Sequence, residues 1–254
     1  MPPTFIIGNW KMQLNESESI ALAGDVVRLC GDATSDVAVV ICPSHLALEE
    51  VAKIVRGTHV ALGAQDTFWE DKGAFSGEVS PKTLAELGCT YCIVGHSERR
   101  QHLGETDAMV NKKTLALIRH GITPVICVGE TLEERNAGAR ETVVIAQVRA
   151  ALVGVTLENA RIIIAYEPRW AIGAKAAAPQ DAAEMHRLIR ETLREMFGDS
   201  ADDCCTVIYG GAVTAENFSG FLATGVVQGA LVGGASLHAD AFIAIARAAA
   251  HGNR

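Results

Sequence analysis

Residues 206–235 read TVIYGGAVTAENFSGFLATGVVQGALVGGA, and within this stretch two short apolar runs are each followed by a pair of glycines. The first run is Thr206–Tyr209 and the second is Val226–Val232. Their near-continuous hydrophobicity is typical of parallel strands that are covered on both faces. Glycines directly after such strands allow the backbone to approach an anion closely. The stretch therefore predicts two parallel strands with room for an anionic group at their carboxyl ends.

The same pattern continues back to the start of the chain. Amphipathic segments alternate with six further apolar runs, which are Phe5–Gly8, Val37–Cys42, Val60–Gly63, Tyr91–Val94, Pro124–Val128 and Ile162–Ala165. Eight strand-then-helix units in 254 residues predict an α/β fold, with residues 1–254 forming a single (β/α)₈ barrel domain of eight parallel strands. The alternative is a doubly wound sheet, which normally has a Gly-rich fingerprint after its first strand, and Gly8-Asn9-Trp10-Lys11 is not one.

Composition restricts the partners and the compartment. The formal net charge of −8 argues against a nucleic-acid partner, because such partners favour a basic surface. No segment reaches the roughly 18 consecutive apolar residues of a membrane span. The absence of a secretion signal and the seven cysteines in apolar stretches predict a cytoplasmic protein with buried free thiols. Cys89-Thr90-Tyr91-Cys92 has the spacing of a redox motif, but without a second pair we interpret it as structural, and we predict no metal site.

Three residues of complementary chemistry follow three of the predicted strands. Lys11 follows the first strand, His96 the fourth and Glu167 the sixth. Since barrel active sites lie at the carboxyl ends of the strands, we expect these side chains to meet. A carboxylate can remove a proton from carbon, while an imidazole and an ammonium group stabilise charge on the adjacent oxygen. Each residue alone has a plainer interpretation, as a solvated lysine, a helix-capping histidine or a buried partner of an arginine. Their convergence beside the two glycine pairs predicts proton transfer next to the carbonyl of a small phosphorylated substrate.

Motifs at the strand ends occur in a fixed order along the chain. They are Gly8-Asn9-Trp10-Lys11, Ala64-Gln65-Asp66, Val94-Gly95-His96-Ser97-Glu98-Arg99-Arg100, Ala165-Tyr166-Glu167-Pro168, Trp170-Ala171-Ile172-Gly173, Tyr209-Gly210-Gly211 and Leu231-Val232-Gly233-Gly234-Ala235. In this combination they resemble the triosephosphate isomerase family over the whole chain. The resemblance implies an enzyme of glycolysis and gluconeogenesis that needs no cofactor. It would interconvert D-glyceraldehyde 3-phosphate and dihydroxyacetone phosphate through an enediolate.

The same resemblance implies roles for individual residues. Glu167 is the expected base, His96 a neutral electrophile, and Lys11 the cation that stabilises the enediolate. Asn9 is expected to hold the substrate oxygens together with Lys11, and Glu98 to be a supporting carboxylate near Lys11 and the histidine. The substrate phosphate is expected on the backbone amides of Gly173, Ala212, Gly233 and Gly234.

Three departures from the family pattern leave alternatives open. The family's loop after the glutamate, a lid over the site, usually reads E-P-x-W-A-I-G-T-G-K, whereas here Gly173 is followed directly by Ala174-Lys175. Ala212 stands where the family usually has a serine, and Arg169 where it usually has a small apolar residue. The shortened lid and Ala212 predict an active enzyme whose lid closes less tightly. Arg169 is interpreted as a solvated hinge residue, with the alternative of a cation that extends substrate choice to a longer sugar phosphate. The three departures leave open an isomerase of a four-carbon ketose phosphate, or a phosphate-ester-binding barrel without turnover.

The loop 66–80 predicts a protein partner. It is long for a barrel connection and contains Phe68, Trp69 and Phe75, which a monomer would not be expected to leave on one protruding loop. The resemblance agrees, because this loop usually forms a homodimer in the family. The alternative is a loop that folds its aromatic side chains back onto its own barrel.

Overall fold

Eight parallel strands form a closed barrel in which each strand pairs with the next and β8 pairs with β1. The computed structural model of the chain describes residues 4–31, 36–158, 160–172 and 176–252, without the side chains of residues 251 and 252. The strands are β1 (Thr4–Asn9), β2 (Val37–Cys42), β3 (Val60–Ala64), β4 (Tyr91–Val94), β5 (Thr123–Val128), β6 (Ile162–Tyr166), β7 (Cys205–Tyr209) and β8 (Gly229–Val232). The predicted barrel is confirmed, while the assignment of residues 1–254 to a single domain stays a prediction.

The first seven strands lie within one residue of their predicted bounds at each end, and the eighth differs more. The last strand begins at Gly229 rather than at Val226, so three residues of the predicted run lie outside the sheet. The backbone N–H of Val207 donates to the side-chain Oε1 of Gln228 over 3.1 Å. The Gln228 backbone N–H still donates to the Val207 carbonyl over 3.2 Å, so only the return bond departs from the regular ladder, because a side chain accepts it in place of the backbone.

Helices surround the barrel, and local capping explains where several begin and end. Ser80 Oγ accepts the N–H of Thr83, Pro81 occupies the first turn, and Gly88 ends the helix with φ of +92°. The described helices are α1 (Glu16–Leu29), α2 (Leu48–Val55), α3 (Pro81–Leu87), α4 (Ser97–Leu103), α5 (Asp107–Arg119), α6 (Leu132–Asn136), α7 (Arg140–Ala151), α8 (Pro179–Phe197), α9 (Ser200–Cys204), α10 (Ala215–Leu222) and α11 (Ala239–Gly252). Of the helices described, none is long and apolar enough to cross a membrane.

The strands are buried on both faces, as their apolar sequences predict. Along β1, Phe5 and Ile7 belong to the smaller cluster of buried side chains, whereas Ile6 belongs to the larger cluster shared with the helices. Cys89 and Cys92 lie in that larger cluster as free thiols, and burial raises the pKa of Cys89 to about 12. This placement agrees with a structural interpretation of the cysteine pair. The packed barrel leaves the carboxyl ends of the strands as the place for a site.

Candidate active site

A cavity of about 250 Å³ lies at the carboxyl ends of the strands, and its lining divides into two halves. The side-chain half consists of Asn9, Lys11, His96 and Glu167, which lie at the ends of β1, β4 and β6. The backbone half consists of residues 210–212 and 233–235, which follow β7 and β8. Ile172, Val213, Thr214 and Leu231 complete the lining. The structure thus brings together residues that are up to 226 positions apart in the chain, from Asn9 to Ala235.

Lys11 has a left-handed backbone, with φ of +53°, which is uncommon for a residue other than glycine. Its amide donates to Asn9 Oδ1 over 3.1 Å, and the side-chain amide of Gln65 donates to its carbonyl over 2.8 Å. The Lys11 ammonium group pairs with Glu98 Oε1 at 2.5 Å. These contacts place the lysine charge at the edge of the cavity, with Glu98 beside it.

His96 is the N-cap residue of α4, and its Nδ1 accepts the backbone N–H of Glu98 over 3.3 Å. This bond uses the lone pair of Nδ1, so a neutral ring bonded in this way has its proton on Nε2. Nε2 lies 3.2 Å from Glu167 Oε1. His96 can therefore cap the helix and take part in the site at the same time. Its Nδ1 caps α4, which sets the tautomer, and its Nε2 faces Glu167 in the side-chain half.

Glu167 is buried, and the backbone around it is fitted closely to its shape. Its Oε2 accepts the N–H of Ser97 over 3.1 Å. A Cβ added at Gly210 would lie 2.6 Å from Glu167 Cγ, and one at Gly129 would lie 1.8 Å from the Glu167 carbonyl oxygen. Burial, and then the nearby Glu167 carboxylate, raises the pKa of the Cys127 thiol well above its usual value. Gly129 therefore leaves room for the backbone of Glu167, and Gly210 leaves room for its side chain.

The backbone half places bare main chain beside the lysine. A Cβ added at Gly233 would lie 3.6 Å from Lys11 Cε, whereas one added at Gly234 would have no atom within 4 Å. Open space therefore adjoins these glycines and the Lys11 ammonium group, which is a favourable environment for an anionic group. The amide of Ala212 instead donates to the carbonyl of Ala171 over 3.3 Å. Of the predicted phosphate ligands, Gly173 lies outside the described residues.

Comparison with known proteins agrees with this geometry. A family model described as triosephosphate isomerase matches residues 4–249. The chain is 48% identical over 242 residues to the triosephosphate isomerase of Caldanaerobacter subterraneus subsp. tengcongensis, which covers 94% of this chain and 97% of that protein. It is 49% identical over 247 residues to that of Roseiflexus sp. (strain RS-1), covering 96% and 97%. The crystal structure of triosephosphate isomerase from Bartonella henselae matches with a TM-score of 0.88 at 37% identity, over 98% of this chain and 99% of that one. The chain belongs to the triosephosphate isomerase family.

Family membership confirms the predicted class of enzyme, an isomerase that acts on a phosphorylated triose. The roles of individual residues stay predictions. The predicted shortening of the lid falls on Gly173, Ala174 and Lys175, which lie outside the described residues. Ala212, the residue in place of the family's serine, lines the cavity.

Arg169 is placed away from the cavity that contains the side-chain half. In the described part of the chain, the lining of that cavity does not include Arg169. Its amide donates to the Glu130 carbonyl over 3.0 Å. The backbone amide of Glu133 and the hydroxyl of Thr131 lower the pKa of the Glu133 carboxyl, and the Arg169 charge adds to that effect. These contacts give no support to a role of Arg169 in selecting a longer substrate.

Several residues have roles in the site that the sequence does not indicate, although Gln65, Ile172 and Leu231 stand within motifs of the family resemblance. Gln65 stabilises the unusual backbone of Lys11, yet an amide that bonds a distant carbonyl resembles any polar loop residue. Ile172 and Leu231 line the cavity, but apolar residues are as common in the core as in a binding site. Gly129 belongs to no motif that we recognised, although the close approach of Glu167 requires it.

Proposed function

We propose that Glu167 is the base that transfers a proton between neighbouring carbons of a bound triose phosphate, with His96 and Lys11 stabilising the substrate oxygens. The observation that carries this proposal is the 3.2 Å separation of His96 Nε2 and Glu167 Oε1 in the wall of a cavity that also contains Lys11. The substrates are D-glyceraldehyde 3-phosphate and dihydroxyacetone phosphate, as the family assignment implies.

The proposed reaction has two proton transfers at carbon. The Glu167 carboxylate takes the proton from the hydroxyl-bearing carbon next to the carbonyl, and the electron pair of that C–H bond moves to form an enediolate. His96 Nε2–H and the Lys11 ammonium group stabilise the negative charge on oxygen. The hydroxyl proton passes to the other oxygen of the enediolate by way of His96 Nε2, and the protonated Glu167 returns its proton to the neighbouring carbon, which completes the exchange of aldehyde and ketone. The base is regenerated, and no redox change occurs.

Substrate binding must change one contact of the free enzyme. In the free enzyme, Glu167 Oε2 accepts the N–H of Ser97, and Glu167 Oε1 faces the Nε2–H of His96. Since the same Nε2–H is needed by a substrate oxygen, we infer that the substrate replaces the contact between His96 and Glu167. The release of one Glu167 oxygen then makes it available to the substrate carbon.

The remaining site residues have supporting roles in this proposal. Asn9 and Lys11 hold the substrate oxygens, and Glu98 positions the lysine through its 2.5 Å ion pair. The substrate phosphate lies along the backbone half, on the amides of Gly173, Ala212, Gly233 and Gly234. The open space beside Gly234 supports this placement, whereas the Ala212 amide has to leave the Ala171 carbonyl before it can bind phosphate.

An isosteric substitution tests the role of the base. Glu167→Gln keeps the shape of the side chain but removes the carboxylate that accepts the proton. In a coupled assay from D-glyceraldehyde 3-phosphate, we expect kcat to fall by about 10²–10⁴-fold. Glu195→Gln, which changes an exposed glutamate paired with Arg149, is the matched control and should retain full activity. A Glu167→Gln enzyme within tenfold of the unmodified one, on the scale of general-base contributions, would contradict the proposal.

We also propose that the chain forms a homodimer through loop 66–80. The aromatic side chains of this loop pack on one another, with Phe68 and Trp69 stacked at 3.9 Å and Phe68 and Phe75 at 4.6 Å between ring centroids. Phe68 is buried, but Phe75 stays 44% exposed. Met12 and Leu46 are 94% and 92% exposed. Exposed apolar side chains of this size are typical of a surface that a partner covers.

Sedimentation velocity at low micromolar concentration tests the dimer. The unmodified chain should sediment as twice its own mass of 26.9 kDa. Leu46→Glu should shift it to the monomer, since an unpaired charge buried at an interface is costly. Val153→Glu places the same charge at another exposed apolar residue and should leave the dimer intact. A monomeric unmodified chain would instead support the alternative in which the loop serves only its own barrel.

A role in glycolysis and gluconeogenesis and a cytoplasmic location are proposed from the family assignment and the sequence. The proposed reaction requires neither a metal nor an organic cofactor, because proton transfer by the three named side chains accounts for each step. A nucleic-acid or membrane partner is not part of the proposal.

A further inference from the structure

A network of polar side chains lies behind Glu167, on the side of Trp170. Glu130 is fully buried, and its Oε1 accepts the indole N–H of Trp170 over 2.9 Å. The hydroxyl of Tyr166 donates to the same carboxylate at 3.1 Å. A buried carboxylate needs such partners because an unpaired charge would be costly. Trp170 is three residues after Glu167 and two before Ile172, so its position affects both residues of the cavity.

Arg135, on α6, contacts both ends of the segment that connects β6 to α8. Its guanidinium carbon lies 4.5 Å from the centroid of the Trp170 ring, which is within the range of a cation–π contact. Its Nη2 donates to Asp181 Oδ2 over 2.8 Å, and Asp181 lies in the first turn of α8. Its Nη1 is 3.9 Å from Glu130 Oε1 and is buried, with no hydrogen-bond partner among the described residues.

We propose that Arg135 is a positioning residue for the isomerase reaction, which acts by holding Trp170 between Glu130 and Asp181. The planar guanidinium group is suited to this task, because it stacks on the ring and bonds the carboxylate at the same time. With Trp170 held, Glu167 and Ile172 are held at their places in the cavity. Arg135 itself does not line the described cavity and touches no substrate.

Steady-state kinetics on a set of variants test this inference, which rests on the proposed role of Glu167. In Arg135→Met we expect kcat to fall about 10- to 100-fold with little change in KM, because a misplaced reacting group loses rate more than affinity. Arg135→Lys keeps the charge but not the flat donor group, so its kcat should lie between the two. Arg149→Met removes an exposed ion pair with Glu195 on the surface, and its kcat and KM should equal those of the unmodified enzyme.

A double-variant cycle separates positioning from general stability. If Arg135 acts through Asp181, then Asp181→Asn should lower kcat in the unmodified enzyme but have no further effect in Arg135→Met. Rates are divided by the folded fraction from near-ultraviolet circular dichroism, and if Arg135→Met does not fold, Arg135→Lys takes its place. A kcat of Arg135→Met within twofold of the unmodified enzyme, or full additivity of the two changes, overturns the inference. An active Glu167→Gln would instead overturn the proposed function, so the two failures are distinguishable.

Discussion

Side chains form one half of the cavity, and the main chain forms the other. In the side-chain half, charged groups hold one another: Lys11 pairs with Glu98 at 2.5 Å, and His96 Nε2 lies 3.2 Å from Glu167. In the backbone half, the path of the main chain does the same work, and side chains are small or absent at residues 210–212 and 233–235. The side-chain half therefore depends on contacts between charged groups, whereas the backbone half is defined by the space that the main chain leaves.

The comparison also separates the two glycine pairs, which look alike in sequence. An added Cβ at Gly210 would collide with Glu167, and one at Gly211 would lie 2.1 Å from the hydroxyl oxygen of Tyr209. At Gly233 and Gly234 an added Cβ would meet only ordinary contacts or none. Packing against Glu167 therefore requires Gly210, and packing against Tyr209 requires Gly211, whereas the second pair leaves open room for a ligand. The two halves meet at Gly210.

The contact between the halves is the place where a single methyl group should have the largest effect. In Gly210→Ala, the new Cβ would lie 2.6 Å from Glu167 Cγ, so the carboxylate must move. We expect kcat to fall by about 10²-fold, the scale of a misplaced reacting group. Steady-state kinetics and a crystal structure of the variant would check both the rate and the displacement.

Gly220→Ala is the matched control for this prediction. Gly220 lies within α10, and its nearest atom to an added Cβ is Pro179 Cγ at 3.5 Å, an ordinary contact. Alanine in a helix should stabilise the fold by about 0.5–1 kcal/mol without a change in kcat. If both variants lose activity equally, the close fit of Gly210 to Glu167 does not matter for catalysis.

A smaller effect is expected from the support of Lys11 within the side-chain half. Gln65→Leu removes the bonds of the Gln65 amide to the carbonyls of Lys11 and Cys42, at 2.8 and 3.0 Å. Without them the left-handed backbone of Lys11 loses a restraint, and we expect kcat/KM to fall about tenfold and stability by about 1–3 kcal/mol.

Asn111→Leu distinguishes this effect from general destabilisation. The Asn111 side chain also donates two bonds to backbone carbonyls, those of Ala151 at 3.1 Å and Val153 at 2.8 Å, but none of these residues lines the described cavity. Asn111→Leu should lower the free energy of unfolding, measured in urea, by about as much as Gln65→Leu does, and it should leave kcat/KM unchanged. Equal losses of kcat/KM in the two variants would mean that Gln65 has no specific effect on Lys11.

The side-chain half could be predicted from the sequence, because charged residues directly after apolar strands stand out. Lys11, His96 and Glu167 were found in this way, and the cavity brings all three together. The barrel itself follows from eight apolar runs, and seven strands lie within one residue of their predicted bounds. The start of β8 differs by three residues, and the Gln228 side chain that accepts the N–H of Val207 there could not be predicted from composition.

The supports of the site could not be predicted, since they depend on distant packing. Arg135 lies in a charged stretch of α6 that resembles a solvated helix end. Its contact with Trp170 exists because α6 lies beside the start of α8, where Asp181 holds the guanidinium group. Gln65 is 54 positions from Lys11 in the chain. Nothing local to either residue indicates its partner, so these contacts are known only from the fold.

The smallest effect is expected at Ala212, in the backbone half, where the family usually has a serine. Its amide, which bonds the Ala171 carbonyl at 3.3 Å, is retained in Ala212→Ser. The lid sequence lacks the glycine next to which that serine would bond. The new hydroxyl should therefore keep its hydrogen bonds to water, and kcat/KM should change by less than about threefold. Ala223→Ser, at the end of α10, controls for the added hydroxyl. A tenfold rise in kcat/KM confined to Ala212→Ser would show that the shorter lid still offers this hydroxyl a partner, and the backbone half would then depend on a side chain after all.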